Sequence, residues 1–319
     1  MFCKIIVKRV ISFFFVMLCI GFFLGCRTFT FDRRDPYPNK RIVNFANGRA
    51  YYFQNKSSDT LIILMEGSGW SSSLGVREND TWISVQYGAQ FIQELNNDFS
   101  FLILEKLQRL PGMVHYWDMD DRRNYTAENL LVGYVDGINE FLSMYQYTSI
   151  VMIGVSEGAA LLPIVYKNIY NKENIVAMVS ISFGGLSMYE SSRILSTRNN
   201  LPQGWFEMYF SLVQIFSPLN QNIFDCYERT FYNHTLRWFN SFMHLRPFEY
   251  YKKIDIPVLF VHGKADFNVP IESTKYIQEN LYYKPFEFKF YHWDHQPRNA
   301  NDMIDFRRDI AGWIRNVLN

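Results

Sequence analysis

Three polar side chains stand where they could do chemistry together. Ser156 lies in Gly154-Val155-Ser156-Glu157-Gly158, directly after the apolar run Ile150-Val151-Met152-Ile153. A serine hydroxyl is a weak nucleophile until a neighbouring base takes its proton, and the base works best when a carboxylate orients it. Further on, Pro257-Val258-Leu259-Phe260-Val261-His262-Gly263-Lys264-Ala265-Asp266 reads as a strand ending in a turn that carries an aspartate. After a final strand, Tyr291-His292-Trp293-Asp294-His295-Gln296 reads as a loop that carries histidines. Nucleophile, acid and base each follow a predicted strand. The chemistry they suit is attack of Ser156 on a carbonyl, with His295 taking its proton and Asp266 holding the imidazole.

The glycines around Ser156 have a physical reason. A serine on a sharp strand-to-helix turn sits in a strained backbone conformation, and side chains two residues to either side would crowd it. Such a turn lifts the Ser156 hydroxyl clear of the sheet and aims the Glu157 N–H at a developing oxyanion. Rival assignments exist. Asp266 also suits a turn position capping the helix that begins near Pro270. His292 follows its strand too closely to reach over the sheet edge, which favours His295, with Asp294 a solvated neighbour. His262 is expected to contact loop backbone. The Glu157 carboxylate either bonds neighbouring loops or repels anionic substrate groups. His115, His234 and His244 have no ligand partners at usable spacing, so no metal is expected, and acyl transfer through Ser156 requires no cofactor.

The elements that must position these residues follow from periodicity. Gly48 to Phe53, Leu61 to Met65 and Phe101 to Leu104 read as strands, as do Ile175 to Phe183 and Phe286 to Tyr291. A helix is predicted over 82–95. Leu131, Tyr134, Ile138, Phe141 and Tyr145 mark another with Thr126 as N-cap, and Pro163 sits where it could bend the helix after Ser156. Phe306, Ile310, Trp313 and Val317 line a last helix. Strands alternating with helices predict an α/β fold, a mostly parallel sheet covered on both faces. Residues 187–252 interrupt the alternation with helical, aromatic-rich sequence.

With those residues in place, the chain resembles the α/β-hydrolase family, in which serine, acid and histidine come in this order, each in a loop that follows a strand. Gly154-Val155-Ser156-Glu157-Gly158, His262-Gly263-Lys264-Ala265-Asp266 with Val269-Pro270 behind it, and Asp294-His295 carry the resemblance. It covers residues 45–318 apart from the insertion. It implies a core over 46–186 and 253–319, with 187–252 as a helical cap. It also implies an oxyanion-hole loop after an early strand, and Leu61-Ile62-Ile63-Leu64-Met65-Glu66-Gly67-Ser68-Gly69-Trp70 fits, with Glu66 where the family usually has histidine. The expected donors are the N–H groups of Ser68 and Glu157, with Gly69 as the alternative to Ser68. An esterase acting on a small acyl substrate is the activity implied, with a peptidase or amidase as the alternative. A surface protein that uses the fold only for binding is the rival class.

The 319 residues accommodate one large α/β domain with an insertion, or two domains. A net charge of +1 offers no electrostatic case for nucleic acid. Lys4, Lys8 and Arg9 followed by the apolar stretch Val10 to Gly25 read as a secretory signal over 1–25. Phe23-Leu24-Gly25-Cys26 resembles the lipobox of bacterial lipoproteins, with Phe23 where leucine is usual, which makes Cys26 the expected lipidation site. An uncleaved anchor and a plain cleaved signal are the alternatives. Arg27 stands where an aspartate commonly retains lipoproteins at the inner membrane, so the outer membrane of a bacterial envelope is the expected location. Residues 26–45 read as a tether to that membrane. Of the 4 cysteines, only Cys226 falls in the mature domain besides Cys26, so no disulfide framework is expected. The aromatics of the insertion either pack it onto the core or line an apolar pocket over Ser156.

Overall fold

The computed structural model describes residues 29–31, 37–69, 72–78, 81–84, 87–106, 123–217, 230–231, 234–297 and 299–319. The signal and lipobox, Cys26 and Cys226 lie outside them. Among the described residues no helix is long and apolar enough to cross a membrane.

An 8-stranded sheet carries the domain. Its strands are β1 (Arg41–Phe45), β2 (Gly48–Phe53), β3 (Thr60–Met65), β4 (Ser100–Glu105), β5 (Ser149–Val155), β6 (Ile175–Ile181), β7 (Val258–Gly263) and β8 (Phe286–Tyr291). They lie side by side in the order β1-β2-β4-β3-β5-β6-β7-β8. From β4 through β8 every neighbouring pair is parallel, while β2 runs antiparallel to both β1 and β4. The inner strands are continuous apolar runs such as Leu61 to Met65, as burial on both faces demands. Within β3, Leu61, Ile63 and Met65 face one half of the core, and Ile62 and Leu64 face the other.

Helices cover each face. α1 (Gly88–Leu95) and α9 (Ala300–Leu318) pack on one through Phe91, Phe306 and Ile310. On the other lie α2 (Ala127–Met144) and α3 (Glu157–Asn168), with Tyr134, Ile138 and Leu162 in the core. Thr126 caps α2 as expected, its hydroxyl accepting the Asn129 N–H, and α3 runs through Pro163 as one helix. Between β6 and β7 come α4 (Met188–Leu195), α5 (Gln203–Ile215), α6 (Leu236–Met243) and the short α7 (Phe248–Tyr251). α8 (Glu272–Asn280) joins β7 to β8. Because β3 has β4 on one side and β5 on the other, the connections diverge beyond its carboxyl end. Open α/β sheets place ligands at such a switch point.

Two expectations need correction. Residues 82–95 do not form one helix: Thr81–Ser84 is a strand, pairing antiparallel with Phe29–Phe31 and with Val76–Glu78, and α1 starts only at Gly88. Thr81, Trp82 and Ile83 are residue types that favour a pleated surface, and cross-strand pairing outweighed the helical spacing. Nor does a tether run to residue 45. Arg41 to Phe45 form β1, closing a tight turn with Phe45 opposite Gly48, and Tyr37 is buried against the Phe53 ring. The sequence Asn47-Gly48 was the available hairpin signal.

Candidate active site

Ser156 sits at φ 49° and ψ −108°, between the end of β5 and the first turn of α3. Its N–H donates to the Ile181 carbonyl at the end of β6 (2.8 Å), and its own carbonyl receives the Ala160 N–H (3.0 Å). A side-chain carbon at Gly158 would come 2.2 Å from the Met65 carbonyl oxygen, and one at Gly154 would lie 2.7 Å from the Ala159 Cα. Glycine therefore lets α3 press against β3 while the turn stays sharp.

From Ser156 a line of hydrogen bonds runs across the ends of the strands. His295 Nε2 lies 3.0 Å from the Ser156 Oγ, and His295 Nδ1 lies 2.8 Å from Asp266 Oδ2. The other oxygen, Asp266 Oδ1, accepts the N–H groups of Asn268 (2.8 Å) and Val269 (2.9 Å). Gly263 makes the approach of these two loops possible, since a side-chain carbon there would overlap the Asp294 carbonyl at 1.8 Å. The Ser182 hydroxyl, just past β6, donates to the His295 carbonyl (3.0 Å) and steadies the loop from below. Sequence reasoning passed over Ser182. His292 is exposed and lines a surface cleft with Asp302 and Arg308.

The electrostatics follow from that geometry. Burial pushes the Asp266 carboxyl up, but His295 and His262 more than offset this and hold it well below the usual carboxylate range. Burial pulls His295 down, yet the Asp266 carboxylate, with a smaller push from Asp294, leaves its pKa above 6.5. His262 contacts loop backbone as expected, with Nε2 3.0 Å from the Val269 carbonyl oxygen. It also pairs with Thr274 Oγ1 (2.7 Å) and stands 3.3 Å from Asp266 Oδ2, so one carboxylate serves two histidines.

On the opposite side of Ser156, the loop after β3 passes close by. A side-chain carbon on Gly67 would lie 3.2 Å from the Ser156 Cβ. Two buried residues at the end of β4 hold this loop, and sequence reasoning missed both. Glu105 accepts from the Ser72 hydroxyl (2.7 Å) and the Ser73 N–H (2.9 Å). Lys106 Nζ donates to the carbonyls of Gly67 and Gly69. The only available signal was a Glu-Lys pair closing the apolar strand Phe101 to Leu104.

No family model matches the sequence, and no curated protein matches it either. Solved structures do match. A Pyrococcus furiosus esterase, Pf2001, superposes with a TM-score of 0.57 at 13% identity, covering 90% of this chain and 94% of that one. Est1E from Butyrivibrio proteoclasticus superposes with a TM-score of 0.57 at 16% identity, over 88% of this chain and 99% of its own. The acylaminoacyl peptidase of Pyrococcus horikoshii gives 0.57 at 13% identity, over 86% of this chain but 41% of that longer chain.

The chain has the α/β-hydrolase fold.

On this α/β-hydrolase sheet the helices between β6 and β7 touch the site. Tyr209 of α5 donates to the Phe267 carbonyl (2.7 Å), next to Asp266, and Trp205 packs edge-on against the Phe267 ring at 5.0 Å. Arg198 donates to the Asp266 carbonyl (3.2 Å). Glu157 resolves in favour of bonding: its buried carboxylate accepts from the Tyr125 hydroxyl (2.7 Å) and from the Trp238 indole N–H of α6 (2.7 Å). The residue after Ser156 thereby ties α6 to the sheet. Among the described residues no group of acidic, histidine and cysteine side chains could hold a metal ion.

Proposed function

We propose that the protein is a serine hydrolase that cleaves an ester or related acyl bond through an acyl-enzyme. The observation that carries this is the unbroken line Ser156–His295–Asp266, at 3.0 and 2.8 Å. His295 accepts the Ser156 proton as the oxygen attacks the substrate carbonyl, and then gives that proton to the leaving group. Asp266, held ionised, orients the ring and stabilises the imidazolium. The N–H groups of Ser68 and Glu157 donate to the tetrahedral oxyanion, and water activated by the same histidine clears the acyl group. The esterase likeness among structures of this fold supports an ester substrate. A peptide or amide substrate is the second reading, supported by the acylaminoacyl peptidase.

The test is a fluorophosphonate probe on the purified chain. Wild type is expected to label at Ser156 alone, and Ser156→Ala to lose both labelling and ester hydrolysis while remaining folded. Labelling that survives the substitution removes Ser156 from the role. A series of p-nitrophenyl acyl esters then tests whether aromatics of the insertion form an apolar pocket. The expected result is kcat/KM rising roughly fourfold for each buried methylene over the first few carbons. A flat series with turnover of acylated peptides favours the second reading. For location, the lipobox-like Cys26 supports attachment to a bacterial envelope. Cys26→Ser is then expected to stop acyl labelling and leave an unprocessed precursor, whereas normal processing and membrane attachment of that variant would favour an uncleaved anchor.

A further inference from the structure

Lys106 is a lysine with 0% of its surface exposed, at the point where β4 runs out beneath the loop after β3. Enclosing a lysine terminus is unfavourable unless its hydrogens find acceptors, and an apolar side chain of similar length would fill the space at less cost. Among the described residues its terminus donates to backbone carbonyls, those of Gly67 and, at 3.4 Å, Gly69. Both belong to the short segment that passes beside Ser156.

A trans peptide unit points its carbonyl and its N–H in opposite directions. No described peptide bond is cis. The Gly67 carbonyl and the Ser68 N–H belong to one such unit. Drawing that carbonyl down to Lys106 therefore turns the Ser68 N–H away from the protein interior. Among the described residues, that N–H meets no acceptor. A glycine at 67 gives this unit little stiffness of its own, so the unit could turn over and present a carbonyl to the developing negative charge. Something outside the loop has to fix its sense.

We propose that Lys106 is a positioning residue for the oxyanion site, holding the Gly67 carbonyl so that the Ser68 N–H faces the carbonyl oxygen of the substrate. This rests on the serine-hydrolase reading above and deepens it. Lys106 acts through the peptide unit and does not touch substrate. Its effect belongs to the step in which negative charge develops, because a ground-state carbonyl gains much less from the same donor.

The test compares Lys106→Met, Ser68→Pro and the double variant, with p-nitrophenyl acetate turnover and the rate of fluorophosphonate labelling as readouts. Proline at 68 deletes the N–H and leaves Lys106 in place. Each single variant is expected to lose about 10²-fold in kcat, the usual loss for one oxyanion donor, with KM within about twofold of wild type. The double variant is expected to lose no more than either alone, since both remove the same interaction. Labelling should slow in parallel with kcat. Additive losses, or a Lys106→Met chain that melts lower yet keeps wild-type kcat per folded molecule, would overturn the proposal. If Lys106→Met gives no folded protein, Lys106→Gln carries the same measurement. A kcat within twofold of wild type there also overturns the proposal, and a loss of about tenfold or more supports it. Wild type that neither labels nor turns over ester overturns the serine-hydrolase reading itself. Wild-type activity with an indifferent Lys106 overturns only this one.

Discussion

The two sides of Ser156 are built by different means. On one side, the loops after β7 and β8 contribute side chains, Asp266 and His295, whose functional atoms point at each other across 2.8 Å. On the other, the loop after β3 passes beside Ser156, and under the proposed reading it would supply main-chain donors; its side-chain supports, Glu105 and Lys106, stand behind it where β4 ends. Proton transfer needs a group whose pKa can be tuned, which only a side chain supplies. Charge stabilisation needs donors fixed in place, and backbone N–H groups serve if something holds them. Chemistry done by side chains stays at the residues that do it. Chemistry done by the backbone passes its sequence requirements to residues elsewhere.

Breaking the side-chain half should cost most. His295→Ala is expected to lower kcat by about 10⁵-fold or more, whereas His292→Ala, on the exposed surface, should change it less than tenfold. Steady-state kinetics of both variants checks the assignment, and an exchange of the two effects would transfer the base to His292. Asp266→Asn is expected to cost about 10⁴-fold, because the imidazole loses the acceptor that sets its tautomer.

The same carboxylate makes a prediction about pH. His295 must be neutral to accept the Ser156 proton, and Asp266 raises its pKa above 6.5. The kcat/KM of wild type should therefore fall as pH drops through a value above 6.5. In Asp266→Asn the residual activity should show that limb at lower pH. A wild-type limb below 6.5 would mean that burial outweighs the carboxylate.

The backbone half should yield less to each substitution. Glu105→Gln keeps the shape but weakens the bonds to Ser72 and Ser73, and a loss of about tenfold in kcat is expected, below that of Lys106→Met. A larger loss than Lys106→Met would shift the support of the loop from Gly67 to Ser72. The smallest effect on turnover is expected at His262, which shares Asp266 but bonds Thr274 and Val269 rather than Ser156. His262→Phe should lower stability by about 1–3 kcal/mol through the abandoned Thr274 and Val269 partners, with kcat within tenfold. Chemical denaturation beside kinetics separates the two.

Much was legible in the residues alone. Apolar runs such as Ile150 to Ile153 and Val258 to Val261 specify buried parallel strands because burial on both faces leaves no polar alternation. The glycines at 154 and 158 mark the turn because no side chain fits there. Asp266 and His295 announced themselves by type and by their places after strands. Other features stayed hidden for a common reason. Thr81 to Ser84 form a strand only because Phe29 to Phe31 and Val76 to Glu78 lie alongside. Arg41 to Phe45 join the sheet because β2 offers an edge, and burial there is too slight to leave an apolar pattern.

What the sequence by itself determined is the parallel core and the residue types at the ends of β5, β7 and β8, since strand burial and side-chain chemistry are written in local composition. What only the tertiary structure decided is who supports them. The Glu157 carboxylate reaches Trp238, the Ser182 hydroxyl reaches the His295 carbonyl, and Lys106 reaches the carbonyls of Gly67 and Gly69. Each of these bonds joins residues far apart in the chain. The acceptor is a backbone atom in two of the three, and every residue type carries that atom, so nothing in the local sequence marks the partner.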